Sequence, residues 1–194
     1  SVTNPSGCWR YIDDGSVSGV VIMEFFNDCN WEAPENLLEF EVLVVGGGGG
    51  GGAVAGGGGG AGGLVHARVD VTAINANGLG PNTVFEIELG EGGTGSDNDR
   101  NKGGDGNHTH FDKNGIYAIT AGGGGGGGSK EDRSGRNGSN SSIKNNTNGL
   151  SVVNNRLYGG SGGGAGEDGN DSERGQGGTN GNRGGRGRDN AGGG

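Results

Sequence analysis

Acidic residues in two glycine-rich stretches make calcium the first chemistry to consider. Residues 92–97 and 163–168 both match the calcium-binding pattern G-G-x-G-x-D. That pattern works in tandem copies with an apolar residue after the Asp, whereas Asn98 and Gly169 stand there in this chain. We therefore expect no calcium roll and no cofactor. If a loop does hold calcium, its best ligands are Asp97, Asp99 and Asp105.

Two histidines near a carboxylate form a second candidate, for a metal. His108 and His110 alternate along the chain, and Asp112 follows two residues later. We interpret these three as loop residues rather than as metal ligands. No glycine run is followed by the G-K-[ST] of a phosphate-binding loop, and no Ser or Cys nucleophile lies in a recognised setting with His. The sequence therefore predicts a protein that is not an enzyme.

The two cysteines, Cys8 and Cys29, predict a disulfide. Neither has a second Cys or a His at the spacing of a zinc site. A bridge here would stabilise the fold by roughly 3 kcal/mol through restriction of the unfolded chain; two separate buried thiols are the alternative. Disulfides are typical of oxidising compartments. We expect an extracellular or cell-surface protein whose signal peptide has been removed, since Ser1 begins directly in polar residues.

The charge distribution disfavours nucleic acid and membranes as partners. The chain has 23 acidic and 14 basic residues. Residues 1–45 contain eight acidic residues and only one basic residue. No apolar stretch is long enough for a transmembrane helix. Residues 183–188 are similar to RGG segments that bind RNA, but residues 159–194 contain five acidic residues, four basic ones and no aromatic. We therefore expect no nucleic-acid binding and no membrane insertion.

Alternating apolar and polar residues predict an all-β fold with little or no α-helix. The alternation runs through residues 38–44, 65–71 and 85–89, and residues 116–120 form a shorter candidate strand. Residues 20–26 are continuously apolar, which suits a strand covered on both faces. No window keeps the apolar stripe of an amphipathic helix, because glycine interrupts throughout.

Glycine makes up 54 of the 194 residues and is concentrated in uninterrupted blocks after strands. Flexible linkers are the alternative, but these blocks contain almost no Ser. Glycine chains can instead form polyglycine-II helices, which have three residues per turn and donate hydrogen bonds to their neighbours. We predict ordered, packed helices in which a side chain at Gly48 or Gly125 is poorly tolerated. The bounding residues of the blocks are Gly46, Gly52, Gly56, Gly60, Gly122 and Gly128.

Two regions follow from this pattern. Residues 1–128 are predicted to form a β-sandwich with glycine blocks, and residues 129–194 a polar region rich in Gly, Asn and Ser. The second region has two interpretations, further glycine helices or partial disorder. It also carries most of the N-x-[ST] sequons that a glycosylating host would modify. The sequons lie at Asn107, Asn137, Asn140, Asn145 and Asn170.

The order of motifs resembles the glycine-rich domains of phage tail and bacterial surface proteins. The resemblance lies in Trp31 and Pro34, then the run Val42-Leu43-Val44-Val45 entering a glycine block, then a second block, two strands and a late block. It is distantly similar to the glycine-rich ectodomain of the anaplastic lymphoma kinase receptor. The resemblance implies a jelly-roll-like β-sandwich with inserted glycine helices that acts as a binding or structural module.

Together these features predict a structural subunit that assembles with identical copies into an extracellular fibre or matrix. The alternative is an adhesin that binds a cell-surface receptor or glycan through loops on a glycine scaffold. For assembly, we expect the apolar run 20–26 to present an exposed edge that another subunit completes by adding a strand, with residues 1–7 as the donor. The competing interpretation is that residues 150–158 cover this edge within the chain.

Overall fold

The computed structural model describes residues 7–54, 56–98, 100–129, 135, 138–139, 141–143 and 149–154. These residues form ten antiparallel strands and one 3₁₀ turn, Val71–Ala73, so the predicted all-β class is confirmed. The strands are β1 Trp9–Asp14, β2 Val21–Phe25, β3 Cys29–Glu32, β4 Glu39–Val45, β5 Leu64–Asp70, β6 Val84–Glu88, β7 Thr109–Phe111, β8 Ile119–Ala121, β9 Ser142–Ile143 and β10 Leu150–Asn154.

Two of the three sheets face each other across an aromatic core. One has the strand order β10-β5-β4 and the other β3-β6-β7-β8-β9. Phe40 of β4 contacts Phe85, Phe111 and Tyr117 with ring centroids 5.6, 6.0 and 6.4 Å apart. Apolar residues of β5 and of the opposing strands complete the core, because alternate side chains of a strand point to the same face. The fully buried ones are Val65, Ala67, Val69, Ile119 and Ala121.

The outer face of β4 and β5 is polar at one end and apolar at the other. Glu39 pairs with Arg68, and Glu41 Oε2 lies 2.9 Å from His66 Nε2. Leu43 and Val45 continue the same face of β4 and are about half exposed. Exposed ion pairs contribute little to stability, so this face is held mainly by the strand pairing beneath it.

The predicted strands after residue 37 are found, each displaced by no more than a few residues. Strand β10 pairs with β5, and its Leu150 is buried. Strands β9 and β10 thus extend both sheets beyond residue 128. Among the described residues there is no helix with the length and apolar character that crossing a membrane requires.

The apolar run 20–26 differs from its prediction. Strand β2 pairs only with β1, as a separate two-stranded sheet, and Val20, Val21, Ile22 and Phe26 are 45–59 % exposed. A strand covered on both faces was therefore the wrong expectation. An uninterrupted apolar run is ambiguous on this point, because the same pattern suits a buried strand and an exposed hairpin arm. The described residues 150–154 cover β5 and not β2.

Candidate functional site

Five glycine-rich segments extend from one end of the sandwich. We call them segment A (46–52), segment B (56–63), segment C (90–96), segment D (103–107) and segment E (122–128). Strands β4, β6 and β8 lead into segments A, C and E, whereas segments B and D lead into β5 and β7. The strand pairing therefore sets the segments side by side, because neighbouring antiparallel strands enter and leave the same end of a sheet.

Backbone hydrogen bonds join these segments at every third residue. Segments A and B pair antiparallel, and the amides of Gly46, Gly49 and Gly52 donate to the carbonyls of Gly63, Gly60 and Gly57 at 2.8–2.9 Å. The amides between them, of Gly47 and Gly50, donate to Asn107 and Gly104 of segment D at 2.9 Å. Repetition at every third residue is the period of a helix with three residues per turn.

Segment E is the most enclosed member of this bundle. All seven of its glycines are buried. Its carbonyls accept from both antiparallel neighbours, for example from Gly60 at 2.7 Å and from Gly106 at 2.9 Å. Two of its own amides donate to the carbonyls of Gly47 and Gly50 in segment A, at 2.9 and 2.8 Å. Buried backbone polar groups need such partners, since each one left unpaired costs about 1–3 kcal/mol.

Close backbone packing explains why these positions are glycine. A Cβ built on Gly49 would overlap the carbonyl of Gly125, and one on Gly50 would overlap the carbonyl of Thr94. Gly48 is different, because its Cβ would meet only the Gly60 oxygen, at 3.7 Å, and the residue is exposed. Within the described residues, the expectation that Gly48 is tightly packed was therefore wrong. The three-residue period places Gly48 on the outer side of segment A.

The amino-terminal hairpin is the second feature that stands out. Strands β1 and β2 pair through five register partners, with a bulge between Tyr11 and Asp13. The predicted disulfide is present and joins Cys8, just before β1, to Cys29 at the start of β3, with the Cα atoms 5.8 Å apart. Phe25 and Trp31 make an edge contact at 5.8 Å. The base of the hairpin is thus fixed to the sandwich while its arms extend away from it.

The candidate metal ligands are not assembled into a cluster in the described part of the chain. Asp105 Oδ1 accepts a hydrogen bond from the Gly126 amide at 2.9 Å, and Asp97 Oδ1 accepts one from Asn98 at 2.9 Å. Asp99 lies outside the described residues. No group of three or more His, Cys, Asp or Glu side chains among the described residues is placed to hold a metal ion.

The histidine pair lies on and beside β7. The rings of His108 and His110 are 5.9 Å apart, and His110 Nδ1 lies 2.9 Å from the hydroxyl of Thr120. Partial burial, with a smaller effect from Lys113, holds the pKa of His110 below its usual value. The neutral ring is therefore favoured in this position, beside a hydroxyl that can donate or accept.

Asp112 was missed as a structural residue by the sequence analysis. It is 8 % exposed and has a φ of 52°, which is unusual for a residue with a side chain. Its Oδ2 accepts from the Tyr117 amide at 2.9 Å. The residue borders an apolar cavity of about 300 Å³ that is also lined by Leu79, Phe85 and Ile116. The carboxylate thus holds the turn between β7 and β8.

Of the predicted glycosylation sites, only Asn107 lies within the described residues. Its side chain is exposed, while its backbone pairs with Glu91 and Gly47 at 2.9 Å. Asn137, Asn140, Asn145 and Asn170 lie outside the described residues, as does all of the polar region after Asn154.

Residues 25–194 match the model of a glycine-rich domain family, and the chain belongs to that family. The match begins at the last residue of β2, so β1 and most of β2 precede it. No curated protein and no solved structure matches the chain.

Proposed function

As a member of the glycine-rich domain family, this chain is, we propose, a structural subunit that assembles with identical copies into an extracellular fibre or matrix. The observation that carries the proposal is the apolar hairpin of β1 and β2. The glycine bundle gives supporting evidence, because it provides a scaffold held by backbone hydrogen bonds rather than by side chains. The resemblance to phage tail and bacterial surface domains is compatible with such a role.

The hairpin exposes more apolar surface than a monomer needs. Ile12, Val20, Val21, Ile22 and Phe26 are each 45–63 % exposed on a two-stranded sheet that pairs with no other described strand. Burying an aliphatic or aromatic side chain of this size contributes about 1.5–3 kcal/mol. Several exposed apolar side chains gathered on one hairpin are typical of an association surface.

The hairpin also has backbone groups available for pairing. Strand β2 pairs with β1 along one edge, and no described strand pairs with its other edge. An open edge with apolar side chains is a template for a strand from another molecule. We propose that a strand of an identical subunit adds to this β2 edge in a head-to-tail contact, which allows assembly to continue into a fibre. Residues 1–6, part of the segment predicted as a donor strand, lie outside the described residues.

The disulfide supports the proposed extracellular location. Cys8 and Cys29 fix the hairpin base to β3, and a structural disulfide persists in oxidising compartments. Loss of this bridge would leave the hairpin attached through the buried Trp9, the partly buried Met23 and Phe25, and the short connection to β3. An isolated two-stranded hairpin is marginally stable in water, so the bridge also serves the proposed surface.

Sedimentation velocity and negative-stain microscopy test the proposal. The purified protein is expected to form concentration-dependent oligomers or filaments. Ile22→Lys, which replaces an exposed apolar side chain near the middle of β2 by a charged one, is expected to give monomers. Val17→Lys is the matched control, because Val17 is 97 % exposed in the hairpin turn. A wild-type protein that stays monomeric at high concentration, or filaments unchanged by Ile22→Lys, would reject assembly through this hairpin.

An adhesin is the second candidate, and the loop between segments C and D favours it. Asn98 Oδ1 accepts from the amides of Arg100 and Asn101 at 3.1 and 2.9 Å, so a polar loop is held at the far end of the bundle. Such a loop is suited to contact a receptor or glycan. Discrete particles that bind cells or a glycan array, and lose binding on Arg100→Ala, would support this role over assembly.

A further inference from the structure

Strand β4 forms an open edge of the sandwich. In its sheet it pairs with β5 alone, over seven residues and without a bulge, and no described strand pairs with its other side. It is the longest of the four strands that end the two facing sheets. Natural edge strands are commonly protected by Lys, Pro or a bulge, and β4 has none of these. The edge is therefore suited to receive a further strand.

The backbone groups of alternate β4 residues point to this open edge. Directly after β4, the Gly46 amide donates to the Gly63 carbonyl at 2.9 Å. Directly before β4, the Leu38 carbonyl accepts from the Val71 amide at 2.9 Å. Since bonding alternates along an antiparallel pair, the even-numbered residues of β4 bond to β5 and the odd-numbered ones face the open edge. The odd-numbered residues are Glu39, Glu41, Leu43 and Val45.

Strand β2 has a matching edge. The Phe26 amide, directly after β2, donates to the Cys8 carbonyl at 3.0 Å, so the even-numbered residues of β2 bond to β1. The bulge adds its extra residue to β1 and leaves the alternation of β2 unbroken. The amides and carbonyls of Val21, Met23 and Phe25 therefore face away from β1. Both open edges thus present their backbone groups at every second residue.

We propose that the open edge of β4 receives β2 of a second copy, with the two strands antiparallel. This inference rests on the proposed function, because it names the strand of the identical subunit that pairs with β2. The hairpin of one copy then extends the sheet of the next to the strand order β10-β5-β4-β2-β1. Since β2 and β4 are different surfaces of the chain, the contact is head-to-tail, and every added copy brings a new open edge.

The glycine bundle limits how far the added strand extends. Around segment A, the neighbouring segments follow in the order B, E, D and C, because each of these is hydrogen-bonded to the next. Segment C therefore lies away from segment B, on the side of segment A that continues the open edge of β4. A Cβ on Gly47 would overlap the Glu91 carbonyl of segment C. A strand added to β4 must end its pairing at or before Val45.

One register within this limit brings exposed apolar residues together. It sets Val21 of β2 opposite Leu43 of β4, and these side chains are 56 and 62 % exposed. Phe26 then lies opposite Leu38, and both are about half exposed. Residues directly opposite each other project to the same face of a sheet. The contact therefore covers apolar side chains on both faces of the joined sheet.

The charges of the two strands are compatible with this register. Glu24 of β2 faces Phe40 of β4, since the two lie on the same side of the joined sheet. Glu39 and Glu41 project to the other side, where Arg68 pairs with Glu39. Like charges directly opposite each other would destabilise the pairing. This register places no two carboxylates of β2 and β4 in that position.

Leu43→Pro tests the edge without removing a hydrogen bond inside the chain. Proline lacks an amide hydrogen, and it is tolerated in edge strands where that hydrogen would face outwards. Leu43→Pro should stay folded in urea unfolding and associate at least tenfold more weakly in sedimentation velocity. Leu43→Val, which keeps the amide, is the matched control and should associate like the wild type. Unchanged association of folded Leu43→Pro would overturn the proposal.

Cysteine cross-linking identifies the two strands directly and does not depend on the proline variant. Opposite residues of a hydrogen-bonded antiparallel pair have Cα atoms about 5.5 Å apart, which is within the range of a disulfide. Mild oxidation of a mixture of Val21→Cys and Leu43→Cys proteins should give at least tenfold more cross-linked dimer than either variant alone. Val17→Cys mixed with Leu43→Cys is the matched control and should give no increase, because Val17 lies in the hairpin turn outside β2.

The outcomes separate this inference from the proposed function. A wild-type protein that stays monomeric at high concentration would reject both. Assembly without a cross-link between positions 21 and 43 would overturn the assignment to β4 and leave the hairpin as the association surface. Efficient cross-linking of Val21→Cys to itself would also overturn it, by showing that two β2 edges meet.

Discussion

Replacing Gly49 by Ala should be far more damaging than replacing a loop glycine by Ala. The methyl group at position 49 would overlap the Gly125 carbonyl, and backbone cannot move aside as a side chain can. Two hydrogen bonds meet there, from Gly49 to Gly60 at 2.8 Å and from Gly60 to Gly125 at 2.7 Å. Losing both costs about 2 kcal/mol in total, and forcing the segments apart adds about 1–3 kcal/mol.

One effect works in the opposite direction. Ala restricts the unfolded chain more than Gly does, which stabilises the folded state by about 0.4–1 kcal/mol. The net loss for Gly49→Ala is then about 2–4.6 kcal/mol. Since about 1 kcal/mol shifts the melting temperature of a domain of this size by about 2–4 °C, the expected decrease in Tm is roughly 4–18 °C.

Gly80→Ala is the matched control. No heavy atom lies within 4 Å of a Cβ built on Gly80, and its φ is not in the left-handed region. Its free energy of unfolding should therefore stay within about 1 kcal/mol of the wild type. Urea unfolding followed by tryptophan fluorescence measures both variants. Equal stabilities for Gly49→Ala and Gly80→Ala would show that the glycine segments are not packed as described, and would refute this reasoning.

Three further predictions concern the disulfide and two titrating side chains. Replacing Cys8 and Cys29 by Ser should cost roughly 3 kcal/mol of unfolding free energy, since the bridge closes a loop of 21 residues; equal urea midpoints for variant and wild type would contradict this. The pKa of His110 is lower in the folded state than its value of about 6.5 in the unfolded state. The folded state is therefore favoured above about pH 6.5, and this contribution to stability is lost as the pH falls. His110→Gln should therefore lose less Tm between pH 7 and pH 5 than the wild type, and equal losses would count against burial as the cause. Burial, followed by the charge of Asp112, raises the pKa of Tyr117, so stability should fall as the pH rises above about 10, and less so in Tyr117→Phe.

Much of the sandwich could be predicted from the sequence because its strands are half buried. The alternation in residues 38–44 and 65–71 predicts strands with one solvent-exposed face and one buried face. Strands β4 and β5 have these two faces. The short strands β7 and β9 have only three and two residues. They were missed because two or three residues are too few to show an alternation of apolar and polar side chains. Pairing with neighbouring strands, rather than the local sequence pattern, defines them.

The hairpin was misjudged for a different physical reason. The sequence of residues 20–26 shows that they are apolar but does not show whether other strands cover them. Exposed and buried apolar residues are indistinguishable in sequence. The disulfide could be predicted, since Cys8 and Cys29 had no competing partner. The turn-forming role of Asp112 could not, because it depends on a left-handed backbone conformation and on the Tyr117 amide, five residues away.

The glycine bundle was predictable in kind but not in detail. Uninterrupted blocks after strands indicate order, but a run of identical residues carries no period that distinguishes Gly48 from Gly49. The hydrogen-bonding partners supply that distinction, because they assign each third residue to a different neighbour. Polar residues within a glycine run restore the information, as in segment D, where Asp105 and Asn107 are exposed and Gly103 and Gly106 are buried.

Amide exchange in segment E tests the central claim most directly. The amides of Gly124 and Gly127 donate to the carbonyls of Gly47 and Gly50 within a fully buried segment that contains no side chain beyond hydrogen. If backbone pairing between glycine segments is an integral part of this fold, these two amides should exchange as slowly as those of the central strand β5, within tenfold. Exchange of Gly124 and Gly127 at the rate of unstructured glycine, while β5 remains protected, would show that the blocks are linkers and would contradict the account.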